Sequence, residues 1–309
     1  EVVRTRDNGL MISLEVTGID GVTSGSSAIT ALRAGFAHLL DTLDERFSFY
    51  LHRMMRPAQA QLKPIHGQSI APAIDRAWGS ELQRRNLQES VLILSVVRRQ
   101  VAPLAVPLFG KAAAKVWGED TERRLEELRE VVSILETGLG VKSHRLKISD
   151  GSLIGFYASL LTGELRTKSR SPFGIIAEDA SDAAIRFGKG QFMVEEGADT
   201  PRVGAVLYVK SYATTTWPGM LDALGASRDT IITHSYTPIE RGSITERVKR
   251  RVAQMRASED IAATIEAQLF EAADKSESGE LGFGIHQMTI TVFASDQAAL
   301  DTEVARIRG

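Results

Sequence analysis

The segment Val91-Leu92-Ile93-Leu94-Ser95-Val96-Val97 is the longest apolar run in the chain, and no other feature constrains the fold as strongly. Its length is that of a strand and far below the ~18 apolar residues that a membrane helix needs. A strand that is apolar at successive rather than alternate positions buries both faces, so this one reads as a central strand of a sheet. No other stretch approaches membrane-helix length, and no signal peptide is visible. The chain opens on Glu1, which leaves room for a preceding segment or anchor.

The 309 residues suggest two folding units, or one large domain in two halves. Hydrophobic residues make up 43% and charged residues 25%, so a core can form without metal or disulfide help. Cysteine is absent, which excludes a disulfide framework, a thiolate zinc site and a cysteine nucleophile. The net charge of -2 provides no global basic field for nucleic acid or anionic lipid.

The turn signal Asp7-Asn8-Gly9 leads into a strand over Leu10–Thr17. Ser26 or Ser27 is placed to cap a helix whose face is Ile29, Leu32, Phe36, Leu39, Leu40 and Leu43. A strand over about 46–55 follows, then a proline-containing loop over 57–68, a helix over about 69–86 and the apolar strand. Residues 101–118 show weak periodicity. Residues 119–137 carry a stripe of Leu125, Leu128, Val132, Leu135 and Leu139, with acidic residues in the first turn and Gly138 and Gly140 at the end. Residues 141–148 return as a strand. Without the extra helix, this is the split βαβ, ferredoxin-like order.

After a short helix over 152–161, residues 163–183 read as a polar linker. Strands are expected over about 185–195 and 203–212, a short helix opening at Trp217-Pro218-Gly219, and a strand over 230–236. Ser243-Ile244-Thr245-Glu246 has the form of a capping box. It opens a helical stretch to about 273, read either as one long helix or as a hairpin broken near Arg256–Asp260. A strand over 285–294 and a helix over 296–307 close the chain. The expected class is α+β: two ferredoxin-like halves with helical insertions, a first half over 1–165, a linker over 166–184 and a second half over 185–309. The second half lacks its last strand, which is expected beyond Gly309 or from elsewhere.

Catalytic signatures are missing. A phosphate-binding loop needs G-x-x-x-x-G-K-[ST]. The pairs Gly110-Lys111 and Gly188-Lys189 each have an alanine at the first-glycine position and neither Ser nor Thr after the lysine. Turn residues beside strands are the plainer reading. The histidines are His38, His52, His66, His144, His234 and His286; none has the helical i, i+4 spacing of a metal pair, and core or strand-face positions are expected. No G-x-S-x-G elbow occurs. Glu195-Glu196 reads as a solvated turn. Phe187 to Phe192 lacks the aromatic pattern of an RNA-recognition strand. Three basic groups are candidate interaction residues, with a solvated face as the default: Arg53 and Arg56, Arg98 and Arg99, and Lys249, Arg250 and Arg251.

Five stretches, in order, resemble the CagE/TrbE/VirB family of type IV secretion and conjugation ATPases. They are Asp7-Asn8-Gly9-Leu10 leading into LEVTGID; Phe47 to Arg53, an aromatic-x-His strand followed by Arg; Val206 to Tyr212 with Thr216 to Leu221; Ile231 to Tyr236; and Gly279 through Phe283-Gly284-Ile285-His286-Gln287. In the last, Gln287 stands where the family often has a second histidine, which favours a structural role for that position. The resemblance implies an N-terminal region that holds a motor subunit at the cytoplasmic face of the bacterial inner membrane. It implies contacts with other inner-membrane components of the secretion complex, self-association as a homo-oligomer and peripheral membrane contact. A RecA-like motor using ATP and Mg is expected after Gly309, so this stretch itself is expected to be neither an enzyme nor a direct nucleic-acid binder. The alternative is a ferredoxin-like module for single-stranded nucleic acid.

Overall fold

The computed structural model describes residues 1–19, 23–57, 71–85, 87–100, 111–138, 142–170, 175–195, 201–213, 215–217, 219–221, 229–257 and 263–308. The fold is mixed α+β, with a large antiparallel sheet and, among the described residues, eight helices. The chain divides into two compact units. The first comprises Glu1–Leu51, Ile93–Leu146 and His234–Met288, and the second His52–Leu92, Lys147–Thr233 and Thr289–Gly309.

The first unit begins with β1 (Val2–Arg4) and β2 (Leu10–Val16), an antiparallel pair in which Val3 faces Met11. The expected turn joins them. Asn8 takes the left-handed conformation at φ 62°, which Asn tolerates better than most residues, and the Thr5 amide donates to the Gly9 carbonyl at 2.9 Å. A Cβ at Gly9 would lie 2.7 Å from the Thr5 hydroxyl, so the close approach needs glycine. α1 (Ser26–Asp41) follows, then the start of β3 (Phe47–Pro57), the end of β4 (Gln88–Arg98), α3 (Lys111–Gly138) and β5 (Ser143–Arg145). The end of β9 (Thr230–Pro238), α6 (Arg241–Ala257), α7 (Ala263–Glu277) and the start of β10 (Gly284–Ala294) complete it. The strand order is β1-β2-β4-β3-β9-β10, with β5 also on β2.

Every residue of β4 from Ile93 to Arg98 is buried, as the apolar run requires. Leu94 and Val96 join Ile12, Leu14, Phe47 and Phe49 beneath Leu39 of α1 and Leu128, Val132 and Leu135 of α3. Each buried side chain of this size contributes about 1.5–3 kcal/mol. Ser95, the polar residue of the run, shares a 2.7 Å hydrogen bond with buried Ser13 of β2, which offsets its desolvation.

Three arginines fix α3. Arg98 of β4 donates to Glu127 at 2.6 Å. Arg124 donates to Asp120 at 2.9 Å and to the Asn8 carbonyl at 2.7 Å. Arg145 of β5 makes a forked pair with Glu136 at 2.9 and 2.8 Å, the geometry that suits guanidinium and carboxylate.

The second unit holds the far end of β3, α2 (Ala71–Arg84), the start of β4, α4 (Ser152–Thr162), α5 (Ile176–Ala180), β6 (Ala184–Phe187), β7 (Phe192–Glu195), β8 (Arg202–Tyr208), the start of β9, the end of β10 and α8 (Gln297–Arg308). β10 pairs with β8, Ile290 facing Leu207; β7 takes the other edge of β8, Phe192 facing Gly204; β6 pairs with β7. Most of α4 is buried, and Phe156 meets His52 edge-on at 5.3 Å. The extended segment after α4 runs so close to it that a Cβ at Gly155 would lie 1.9 Å from the Arg166 carbonyl.

Several expectations are corrected. The N-cap of α1 is Gly25, with no side-chain cap, so neither Ser26 nor Ser27 caps it. The strand expected over 185–195 is two, because Gly188 donates to the Gln191 carbonyl at 2.8 Å and Gly190 takes φ 81°, closing a hairpin. The strand expected over 141–148 pairs only at Ser143–Arg145. Met220 donates to the Trp217 carbonyl at 3.2 Å and 219–221 form a turn, while the rest of the short helix expected there falls outside the described residues. Pro218 and residues 222–228 lie outside the described residues, as do the expected loop over 58–68, Gly140 and His66. α6 starts at Arg241, so Ser243 is inside its first turn and donates to the Glu240 carbonyl at 2.8 Å rather than forming the capping box. Of the two readings of the helical stretch, the hairpin holds, since α6 and α7 are separate packed helices. β7 pairs along the edge of β8 opposite β10.

Candidate interaction surface

The seven basic residues singled out by sequence fall on three elements. On β3, Arg53 donates to the Ser90 hydroxyl at 3.0 Å and Arg56 pairs with Glu89, both partners on β4. Both cations are half-exposed. A strand that ends in arginines beside a strand that begins with Glu89 and Ser90 pairs them across the ladder.

At the end of β4 the two neighbours separate. Arg99 is exposed. Arg98 is 3% exposed and does not belong to a surface: besides Glu127, it donates to the Arg99 carbonyl at 2.6 Å and lies over the Phe47 ring at 5.5 Å. The reason is position at the strand end. Arg98 is the last residue of β4 and is buried on Glu127 of α3, where it needs that carboxylate, whereas Arg99 lies just past the end of the strand.

On α6, Lys249, Arg250 and Arg251 are all exposed, while Ile244, Val248 and Val252 bury the opposite face. Arg250 pairs with Glu246 at 3.0 Å. Sequence reading missed the extent of the charge. α6 also carries Arg241, Arg247 and Arg256 against the single carboxylate of Glu246, a formal +5, whereas α7 has Glu266, Glu271, Asp274 and Glu277 against Lys275, a formal -3. Arg256 pairs with Glu266 of α7, and Arg247 with Glu45 at 3.0 Å. The helix boundaries were the signal needed, because the cations become one patch only when they share one helix.

Among the described residues, no group of three or more His, Asp or Glu is arranged to hold a metal ion. His52 is 8% exposed, its Nδ1 lies 3.0 Å from the Thr233 hydroxyl, and burial pushes its pKa down to about 4. His234 Nδ1 faces His286 Nε2 across 3.2 Å. Both are held below the usual imidazole pKa, His234 by burial and then by its neighbour's charge, His286 by burial. His38 is exposed on α1, and His144 lies 3.5 Å from Glu15. Lys189 is exposed in the β6–β7 turn; Gly110 and the side chain of Lys111 lie outside the described residues. Glu195 pairs with Arg186 at 3.0 Å. No described helix is long and apolar enough to cross a membrane.

Residues 140–309 match the family model of the CagE, TrbE, VirB family, component of type IV transporter system. Residues 1–104 match that of the type IV secretion system ATPase VirB4/TrbE, N-terminal domain. Among curated proteins, the type IV secretion system protein virB4 of Bartonella henselae is 23% identical over 320 residues, covering 99% of this chain and 41% of that protein. Protein virB4 of Rhizobium radiobacter is 25% identical over 325 residues, with 99% and 40% covered. Protein virB4 of Agrobacterium fabrum is 31% identical over 107 residues, 34% of this chain and 14% of that protein. The chain thus spans about two fifths of the length of the first two relatives. With one family model covering more than half of it, and the other most of the remainder, the chain belongs to the CagE/TrbE/VirB family of type IV transporter components.

Proposed function

We propose that this chain is the docking and assembly region of a type IV secretion ATPase, holding the motor subunit within the secretion complex at the cytoplasmic face of the inner membrane. The observation that carries this reading is the end-to-end match to the virB4 proteins, in a stretch where neither Gly-Lys pair is followed by Ser or Thr. ATP and Mg would then act in a motor domain elsewhere in the polypeptide. The natural partners are other inner-membrane components of the complex and further copies of the subunit. The half-exposed Arg53 and Arg56 and the exposed Arg99, Lys249, Arg250 and Arg251 are the proposed contact residues, and a partner facing α6 would present carboxylates or other anions. The alternative, a module for single-stranded nucleic acid, is not favoured by the comparisons.

The proposed architecture is two ferredoxin-like halves, over 1–165 and 185–309. The strand orders β5-β2-β4-β3 and β7-β8-β10-β9 support it. In a split βαβ unit the third strand inserts between the first two, and the last takes the outer edge of the first. In the second half that edge position is taken by β7, which precedes β8 in the chain.

The test is a pull-down of the purified chain against purified inner-membrane components of the secretion complex. Specific, saturable binding to at least one is expected. Binding no stronger than that of an unrelated α+β protein would sink the docking role.

A further inference from the structure

The pair of histidines on β9 and β10 is unlike the other histidines of the chain. His234 and His286 are 52 positions apart, yet neighbouring strands bring them together with ring centroids at 5.4 Å and planes inclined by 22°. His286 is exposed on the strand face and His234 is half-buried beside it, so one side of the pair opens to solvent. Each offers a ring nitrogen to the space between them.

We propose that His234 and His286 form a two-histidine site for a divalent transition-metal ion of the zinc or copper type, its remaining positions filled by water. The distance supports this. Two imidazole nitrogens bound to one tetrahedral ion at about 2.0–2.1 Å stand about 3.3 Å apart, and here they stand 3.2 Å apart. Binding needs ring rotation to turn the two lone pairs onto a common point. The donors suit the class, since imidazole favours zinc, copper and nickel over calcium or magnesium. In the absence of an ion, one imidazole N–H donates to the other; on metal binding that ring carries its proton on its other nitrogen instead, so both rings ligate as neutral imidazoles.

With no third protein ligand of the His, Asp or Glu type among the described residues, the ion exchanges readily. The site is thus suited to reversible occupancy that ties β9 to β10.

The experiment titrates the full chain with Zn2+ and with Cu2+ at neutral pH by calorimetry, and records the electron paramagnetic resonance spectrum of the copper form. The expected result is one ion per chain with nitrogen coordination and a rise in Tm on zinc addition. His286→Gln and His234→Gln should each weaken binding about tenfold or more, while His144→Gln leaves it unchanged. His286 is exposed, so its replacement tests the site without threatening the fold. No uptake by the wild-type chain, or affinity equal to wild type in both single variants, would overturn the proposal. A copper spectrum that keeps the wild-type nitrogen signature in the double variant His234→Gln with His286→Gln would do the same.

Discussion

His52 is a neutral imidazole sealed between Thr233 and Phe156, and its burial makes stability depend on pH. The pKa falls from an ordinary 6.5 to about 4 in the folded chain. Above the unfolded value both states are unprotonated and the group is silent. As pH falls below it, the unfolded chain takes up a proton that the folded chain refuses, and stability is lost until pH reaches the folded value. Between about pH 7 and pH 5 this amounts to about 2 kcal/mol. His52→Gln should remove that part of the acid sensitivity, read as a flatter difference in urea unfolding midpoints between the two pH values. Gly155 makes a steric demand of similar size. Its Cβ would strike the Arg166 backbone, so Gly155→Ala should cost about 3 kcal/mol, since a well-packed interior yields poorly to overpacking. A thermal melt unchanged by that substitution would show that the segment after α4 can move away. Neither residue announces this role in sequence, because each depends on an atom that chain topology delivers.

At α6, exposed charge and buried apolar residues divide one helix between two tasks. Ile244, Val248 and Val252 hold it, and substitutions on its outer face should leave folding nearly intact, within about 0.5 kcal/mol each. The triple reversal Lys249→Glu, Arg250→Glu and Arg251→Glu is therefore expected to preserve the melt. It should also weaken partner capture by about tenfold or more and flatten its salt dependence. Equal binding by the two proteins at low salt would place the contact elsewhere. The apolar face of this helix was legible from its 3.6-residue period. Its start was not, because Ser243 and Glu246 imitate a capping box while the helix had already begun at Arg241. Likewise the period of α3 is clear from Leu125 onward, but the helix extends back to Lys111, into a stretch where apolar periodicity is weak.

For the chain as a whole, the expected outcome of an ATPase assay is no turnover. Hydrolysis that disappears on Lys111→Ala or Lys189→Ala would require a phosphate site built without the usual glycine and hydroxyl residues. What the sequence determined by itself is the set of parts. Val91 to Val97 could only be a central strand, because no alternating polar positions were left to face water. The Asn8-Gly9 turn, the helical stripes and the missing nucleotide loop were equally local. What tertiary structure decided is which parts meet. Hydrophobic period marks a face but not the surface it will cover, and charge marks a residue but not its partner. Thus Arg98 and Arg99 look alike in sequence, yet one is buried on Glu127 and the other exposed. His234 and His286 became a pair only when β9 and β10 were laid side by side. β7 precedes β8 in the chain and pairs along the edge of β8 opposite β10. Pairing follows the exposed backbone edge that β8 offers, not the order of the chain.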